Sequence, residues 1–244
     1  MQAVPTLVTR RFDDQLCLWS SAGREPILVV VFSGVGIRSQ RGKPDFVRTA
    51  QFGGRAHVLY IADPGRSWLN EPGLIELIEA EILAEQARIG AERLYLMGVS
   101  LGAYSAIVFG GRLPGARVLA FSPQLAVDPR LVPGEKRWRL LRNRIKTFRI
   151  ASAFDSLAPR SEYVVIFGDA EEEAIQRRFV PQHPQVSLTI LADTGHNTAL
   201  HLKAHGLLGA VCEAALFGDF LQVPGQVAGL IAGAVPQDRP DGGH

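Results

Sequence analysis

Leu94-Tyr95-Leu96-Met97-Gly98-Val99-Ser100-Leu101-Gly102-Ala103 is the stretch on which the reading of this chain turns. Leu94 to Met97, continued by Val99, is apolar enough for a buried strand, and Leu101 to Arg112 is a short apolar run rich in small residues, as in a helix packed closely on a sheet. Gly98, Ser100 and Gly102 stand where the two would meet. A serine there is lifted on a sharp turn, and glycines two before and two after it let neighbouring backbone approach without a Cβ clash. The N-terminus of the following helix favours negative charge developing beside the serine. With 25 glycines in the chain the five-residue pattern alone is weak, so its place between strand and helix carries the argument.

Working outward, short β-branched and aliphatic runs alternate with stretches long enough for helices, the pattern of an α/β sheet. Ile27 to Phe32 is apolar throughout, as in a parallel strand covered on both faces. His57 to Ile61, Arg117 to Phe121, Tyr163 to Phe167 and Val186 to Leu191 supply further strands, and Leu7 to Trp19 reads as an antiparallel lead-in hairpin around Asp13-Asp14. Helices are predicted over Glu71 to Ile89, with Gly90 as its C-cap, Glu171 to Phe179 and Thr198 to Leu216. Beyond Pro224 the chain turns to Gly, Ala and Pro. The predicted organisation is one domain over 1–236 and a flexible tail over 237–244.

The 244 residues are 47% hydrophobic and carry 26 basic against 24 acidic groups, which excludes a wholly disordered chain and gives no general case for nucleic acid. No apolar run approaches the roughly 20 residues that cross a bilayer. The N-terminus does not read as a secretory signal. Cys17 and Cys212 form neither a CxxC nor a Cys/His ligand spacing, so no metal and no cofactor is expected and a reducing cytoplasm fits best.

A serine needs a base, and the base needs orienting. His196, in Asp193-Thr194-Gly195-His196-Asn197 just past the last strand, is the best placed of the six histidines. A carboxylate is expected after the strand Tyr163 to Phe167, where the sequence reads Gly168-Asp169-Ala170-Glu171-Glu172-Glu173. In the order serine, acid, histidine, in Gly98 to Gly102 and in the Gly195-His196 loop, the chain resembles the α/β-hydrolase fold superfamily over roughly Ile27 to Leu216. The resemblance implies a three-layer α/β sandwich, a mostly parallel central sheet with helices on both faces, and a small helical insertion as a cap at 123–160. It places the acid at Glu171, with Asp169 as competitor, and the oxyanion donors at the N–H of Leu101 and of Val35 or Gly34. The activity it implies is a serine hydrolase cleaving an ester or thioester. An acyltransferase using the same groups, or a non-catalytic binding or accessory protein, is the alternative.

Two features bear on the substrate. Within the insertion, Lys136 to Arg149 holds seven Lys/Arg and no acid, with Trp138, Leu141, Ile145 and Phe148 at helical spacing. This predicts a basic-faced helix, either merely solvated or recruiting an anionic partner such as acyl-CoA, an acidic glycan or a membrane surface. In Asp63 to Asn70, after the second central strand, Arg66 and Trp68 are candidates for substrate contact and Asn70 is the expected cap of a helix starting at Glu71.

Overall fold

Ile27–Phe32 is buried at every position, and it lies at the centre of the sheet. The computed structural model describes residues 6–36 and 44–234. Eight strands, β1 (Val8–Phe12), β2 (Cys17–Ser21), β3 (Ile27–Phe32), β4 (His57–Ala62), β5 (Arg93–Val99), β6 (Arg117–Phe121), β7 (Glu162–Gly168) and β8 (Val186–Leu191), form one sheet. Their order is β1-β2-β4-β3-β5-β6-β7-β8. The first two pairings, β1 with β2 and β2 with β4, are antiparallel, and all others are parallel. The hairpin at Asp13 is as predicted: the Asp13 carboxylate accepts the N–H groups of Gln15 and Leu16 and closes the turn.

Seven α-helices, besides short 3₁₀ helices at Thr49–Gly54 and Phe220–Gln222, occur among the described residues: α1 (Leu74–Ile89), α2 (Leu101–Gly110), α3 (Arg139–Arg142), α4 (Glu171–Arg177), α5 (Thr198–Ala204), α6 (Leu208–Phe217) and α7 (Val223–Ala234). Alternate residues of β3 serve the two faces. Leu28, Val30 and Phe32 pack with α1 and α2, whereas Ile27, Val29 and Val31 pack with α5, α6 and α7. This is a three-layer sandwich. Among the described residues no helix is long and apolar enough to cross a membrane.

Three expectations change. The helix expected from Glu71 begins at Leu74, because Asn70 does not cap it: its amide reaches the carbonyls of Ser67 and Trp68, and its Oδ1 accepts the N–H of Arg149. The helix expected over Thr198 to Leu216 is two helices, broken where Gly206 takes a φ of 71°. The Gly- and Ala-rich stretch after Pro224 continues a helix that runs from Val223 to Ala234, with Val223 and Val227 buried in the core. The tail expected at 237–244 lies outside the described residues.

The basic run of the insertion departs furthest. Only Arg139–Arg142 is helical, and Trp138 before it has a φ of 55°. Two of the cations face inward. Arg142, 2% exposed, donates to the carbonyls of Arg137, Val127 and Glu135. Arg137 reaches the carboxylates of Glu135, in the same insertion, and Glu173, beyond the end of β7. Backbone carbonyls at 127, 135 and 137 and the carboxylates of Glu135 and Glu173 outcompete helical periodicity here, although Leu141, Ile145 and Phe148 still pack on the core.

Candidate active site

Ser100 occupies the turn between β5 and α2 with φ 55° and ψ −114°. A residue with a Cβ costs of order 1–3 kcal/mol in such a conformation, so the surroundings must impose it. They do so through close packing. A Cβ on Gly98 would collide with the backbone of Gly102, and one on Gly102 with the carbonyl of Phe32 at the end of β3. The Ser100 N–H donates to the Phe121 carbonyl at 2.9 Å, tying the turn to β6.

His196 meets this serine across the rim. Its Nε2 lies 3.0 Å from Ser100 Oγ. The loop carrying it sits on the end of β7, where a Cβ on Gly168 would overlap the carbonyl of Thr194. The Nδ1 of His196 lies 3.1 Å from Oε1 of Glu173, whose side chain is fully buried.

The carboxylate beside His196 is therefore Glu173, in place of the expected Glu171 or Asp169. The α4 helix starts at Glu171, so its inward positions are Glu173 and Gln176, three apart, while Glu171 and Glu172 are exposed. Asp169 is engaged by the backbone N–H groups of Thr194 and Asp193, which hold its carboxyl below the ordinary range. The helical repeat of α4 was the available signal for Glu173, since the third of three successive glutamates pairs with Gln176 on one face.

Glu173 has a second partner that sequence reasoning missed. Arg137, from the insertion, forms an ion pair with Glu173 Oε1, and its Nη1 lies 2.8 Å from His196 Nδ1. Its other edge is bidentate to Glu135, Nε to Oε1 at 2.9 Å and Nη2 to Oε2 at 2.6 Å. Burial alone would raise the Glu135 carboxyl, but hydrogen bonds from Arg137 and Gln176 outweigh it and bring it down to about 2.

A strained serine, an imidazole and a buried carboxylate in series at the C-terminal rim of a parallel sheet form a geometry that can transfer a proton from serine to imidazole. No protein-family model matches the chain, and no curated protein matches it. Solved structures do. Acylaminoacyl peptidase from Pyrococcus horikoshii superposes with a TM-score of 0.62 at 13% identity, over 91% of this chain and 44% of its own, so the present chain spans less than half of it. Est1E from Butyrivibrio proteoclasticus gives 0.57 at 13% identity, covering 85% of this chain and 98% of its own. The capsule O-acetyltransferase of Neisseria meningitidis serogroup A gives 0.56 at 13%, over 82% and 92%.

The chain has the α/β-hydrolase fold.

Within this α/β-hydrolase fold the loop after β3 is partly spoken for. The N–H of Gly34 donates to Asp45 Oδ2 at 2.9 Å, so of the two expected donors, Gly34 and Val35, only Val35 keeps the role open. The Val35 carbonyl is held by Arg66 Nε at 2.8 Å. Leu101 opens α2, where the first N–H groups of a helix have no carbonyl behind them. Trp68 is not a substrate-facing side chain: it is 0% exposed and part of the core with Leu69, Leu74 and Leu141. Arg66 does line a cavity of about 750 Å³ together with Asp63, Glu71, Arg144, Lys146 and Arg149, although neither Ser100 nor His196 contributes to its walls.

Proposed function

We propose that the protein is a serine hydrolase that cleaves a carboxylic ester or thioester through an acyl-Ser100 intermediate. The observation that carries this reading is the series Ser100 Oγ, His196 Nε2, His196 Nδ1 and buried Glu173, with separations of 3.0 and 3.1 Å, on a strained turn. Ser100 Oγ attacks the acyl carbon while His196 Nε2 takes its proton and Glu173 holds the Nδ1–H. The N–H groups of Leu101 and Val35 receive the oxyanion, where one well-aimed donor is worth on the order of 2.7–4 kcal/mol. The tetrahedral adduct collapses as His196 returns the proton to the leaving alcohol or thiol. Water then adds to the acyl-serine with His196 again as base, releasing the acid and Ser100. The cap role of 123–160 follows from this scheme, since that segment brings Arg137 against the acid.

The cavity lined by Arg66, Arg144, Lys146 and Arg149 supports an anionic substrate. Arg144, Lys146 and Arg149 have no carboxylate within ion-pair distance among the described residues; of the acids that share the cavity wall, Asp14, Asp63 and Glu71, Asp63 is occupied by the N–H groups of Arg66 and Ser67. Reversing Arg144 and Lys146 to Glu should raise KM for an anionic thioester about tenfold and leave a neutral ester unaffected. Passage of the acyl group to an alcohol or amine instead of water uses the same groups, and products formed with competing acceptors distinguish the two.

The primary test is labelling by a fluorophosphonate followed by an acyl-ester and acyl-thioester panel. Label on Ser100 in the wild type, absence of label in Ser100→Ala, and a burst of released alcohol are expected. A wild-type protein that takes no label and turns over no acyl substrate would falsify the hydrolase reading in favour of a binding or accessory role.

A further inference from the structure

Three groups crowd one imidazole nitrogen. Oε1 of Glu173 receives the Arg137 guanidinium and lies 3.1 Å from His196 Nδ1, while Arg137 Nη1 itself stands 2.8 Å from that nitrogen. A guanidinium is a donor only and never an acceptor. If Nδ1 carries the proton, two N–H groups converge on one another at 2.8 Å. If Nδ1 is bare, Arg137 donates into its lone pair, and the ring proton resides on Nε2, pointing at Ser100 Oγ. The second arrangement satisfies every donor and sets the Nδ1 lone pair 3.1 Å from Glu173 Oε1, a repulsion that the guanidinium shared by both acceptors offsets. It also leaves no lone pair on Nε2 to accept the serine proton.

We propose that Arg137 is a latch that holds His196 in the non-basic tautomer until the segment carrying Arg137 shifts. The inference rests on the reading of Ser100 and His196 given above and adds a control on it. The latch has somewhere to go: Nε and Nη2 of Arg137 are already bidentate to Glu135, which belongs to the same insertion, so only the Nη1 contacts to Glu173 and His196 and the 3.4 Å contact of Nη2 to the Glu172 carbonyl need break. When it does, Glu173 Oε1 loses a competing donor and is left to Nδ1–H, the pairing that makes Nε2 a base. The remaining groups around the ring do not substitute for Arg137. Glu172 places its carboxylate beside Gly195, and Asp169 is engaged by the N–H groups of Asp193 and Thr194. Arg137 thus acts through His196 and is a positioning residue. Arg137 lies on the same insertion as Arg144, Lys146 and Arg149, which wall the cavity described above.

The tautomer is directly readable. In multiple-bond ¹H–¹⁵N spectra of histidine-labelled protein without substrate, at a pH where the ring is neutral, the wild type should show the proton of His196 on Nε2. Arg137→Gln should move it to Nδ1. Because that variant leaves Glu135 buried and unpaired, Arg137→Gln with Glu135→Gln removes both charges together and should give the same shift. Fluorophosphonate should phosphonylate Ser100, fluoride leaving, at least about tenfold faster in the double variant than in the wild type. A wild-type spectrum with the proton already on Nδ1, or a measurable labelling rate that is no faster once Arg137 is gone from a folded protein, overturns the latch. The spectrum needs no turnover, so a tautomer shift without any labelling would count against the hydrolase reading and leave the latch intact.

Discussion

Asp169 accepts the N–H of Thr194 at 3.1 Å and so secures the loop of His196 from below, without belonging to the row of groups that His196 joins. Two carboxylates at the end of β7 thus divide the work, one holding the loop backbone and the other, Glu173, facing the ring. Substitution separates them. Glu173→Gln should cost about 10³–10⁴ in kcat by losing the group that holds the Nδ1–H. Glu171→Gln, on the exposed face of α4, should stay within about twofold, as surface changes do. Asp169→Ala should fall between these and lower thermal stability as the loop loses its anchor. Steady-state rates and melting curves for the three variants check the order; a larger loss at Glu171 than at Glu173 would remove Glu173 from the mechanism.

Gly102 has no room for a methyl group, because the Phe32 carbonyl occupies its place. Gly102→Ala must push α2 away from β3 and move Ser100 relative to His196. A displacement near 1 Å is enough to reduce kcat about a hundredfold. The expected result is a folded protein with slowed acylation of Ser100, measured by the labelling rate. A variant labelled at the wild-type rate would show that the turn absorbs the methyl group.

Trp68 is a core side chain, and its replacement should be read in stability. Trp68→Ala should cost about 3–5 kcal/mol, the usual range for emptying a buried aromatic site. Denaturant midpoints measure it, and kcat of the fraction that remains folded should change little.

The buried Glu135 gives the protein a specific acid sensitivity. Its carboxyl falls from an ordinary 4.5 to about 2 on folding, burial being outweighed by the bonds from Arg137 and Gln176. A carboxyl that is more acidic folded than unfolded adds stability wherever it is ionised in both states, above 4.5, and that contribution disappears as pH falls toward 2. Glu135→Gln should therefore be less stable than the wild type at neutral pH, and the difference should shrink between pH 4.5 and 2. Urea midpoints at pH 7, 4 and 3 follow it.

Much of this architecture is written locally. Arg117–Phe121 and Val186–Leu191 match the strands expected from their apolar runs, and Gly90 ends α1 in a left-handed conformation as expected of a glycine C-cap. Ser100 and His196 were legible for a similar reason: each lies a residue or a few past a strand end, so the strand itself carries the side chain to the rim. The helix expected over the basic run was not legible, because Arg137 and Arg142 turn inward to Glu135, Glu173 and backbone carbonyls that spacing along the chain does not reveal.

The choice among Asp169, Glu171 and Glu173 marks the boundary. Alternation of apolar runs and turns specifies that a carboxylate-rich segment follows β7, since short-range periodicity is set by backbone geometry that each residue carries with it. Which of those carboxylates reaches His196 depends on where α4 begins and which of its faces the insertion covers, through Gln176 on Ala126 and Glu135. Those are contacts between residues some 40 to 50 positions apart, formed only when the sheet brings the segments together, and they also place a cation from the insertion against the ring that the sequence marked as the base.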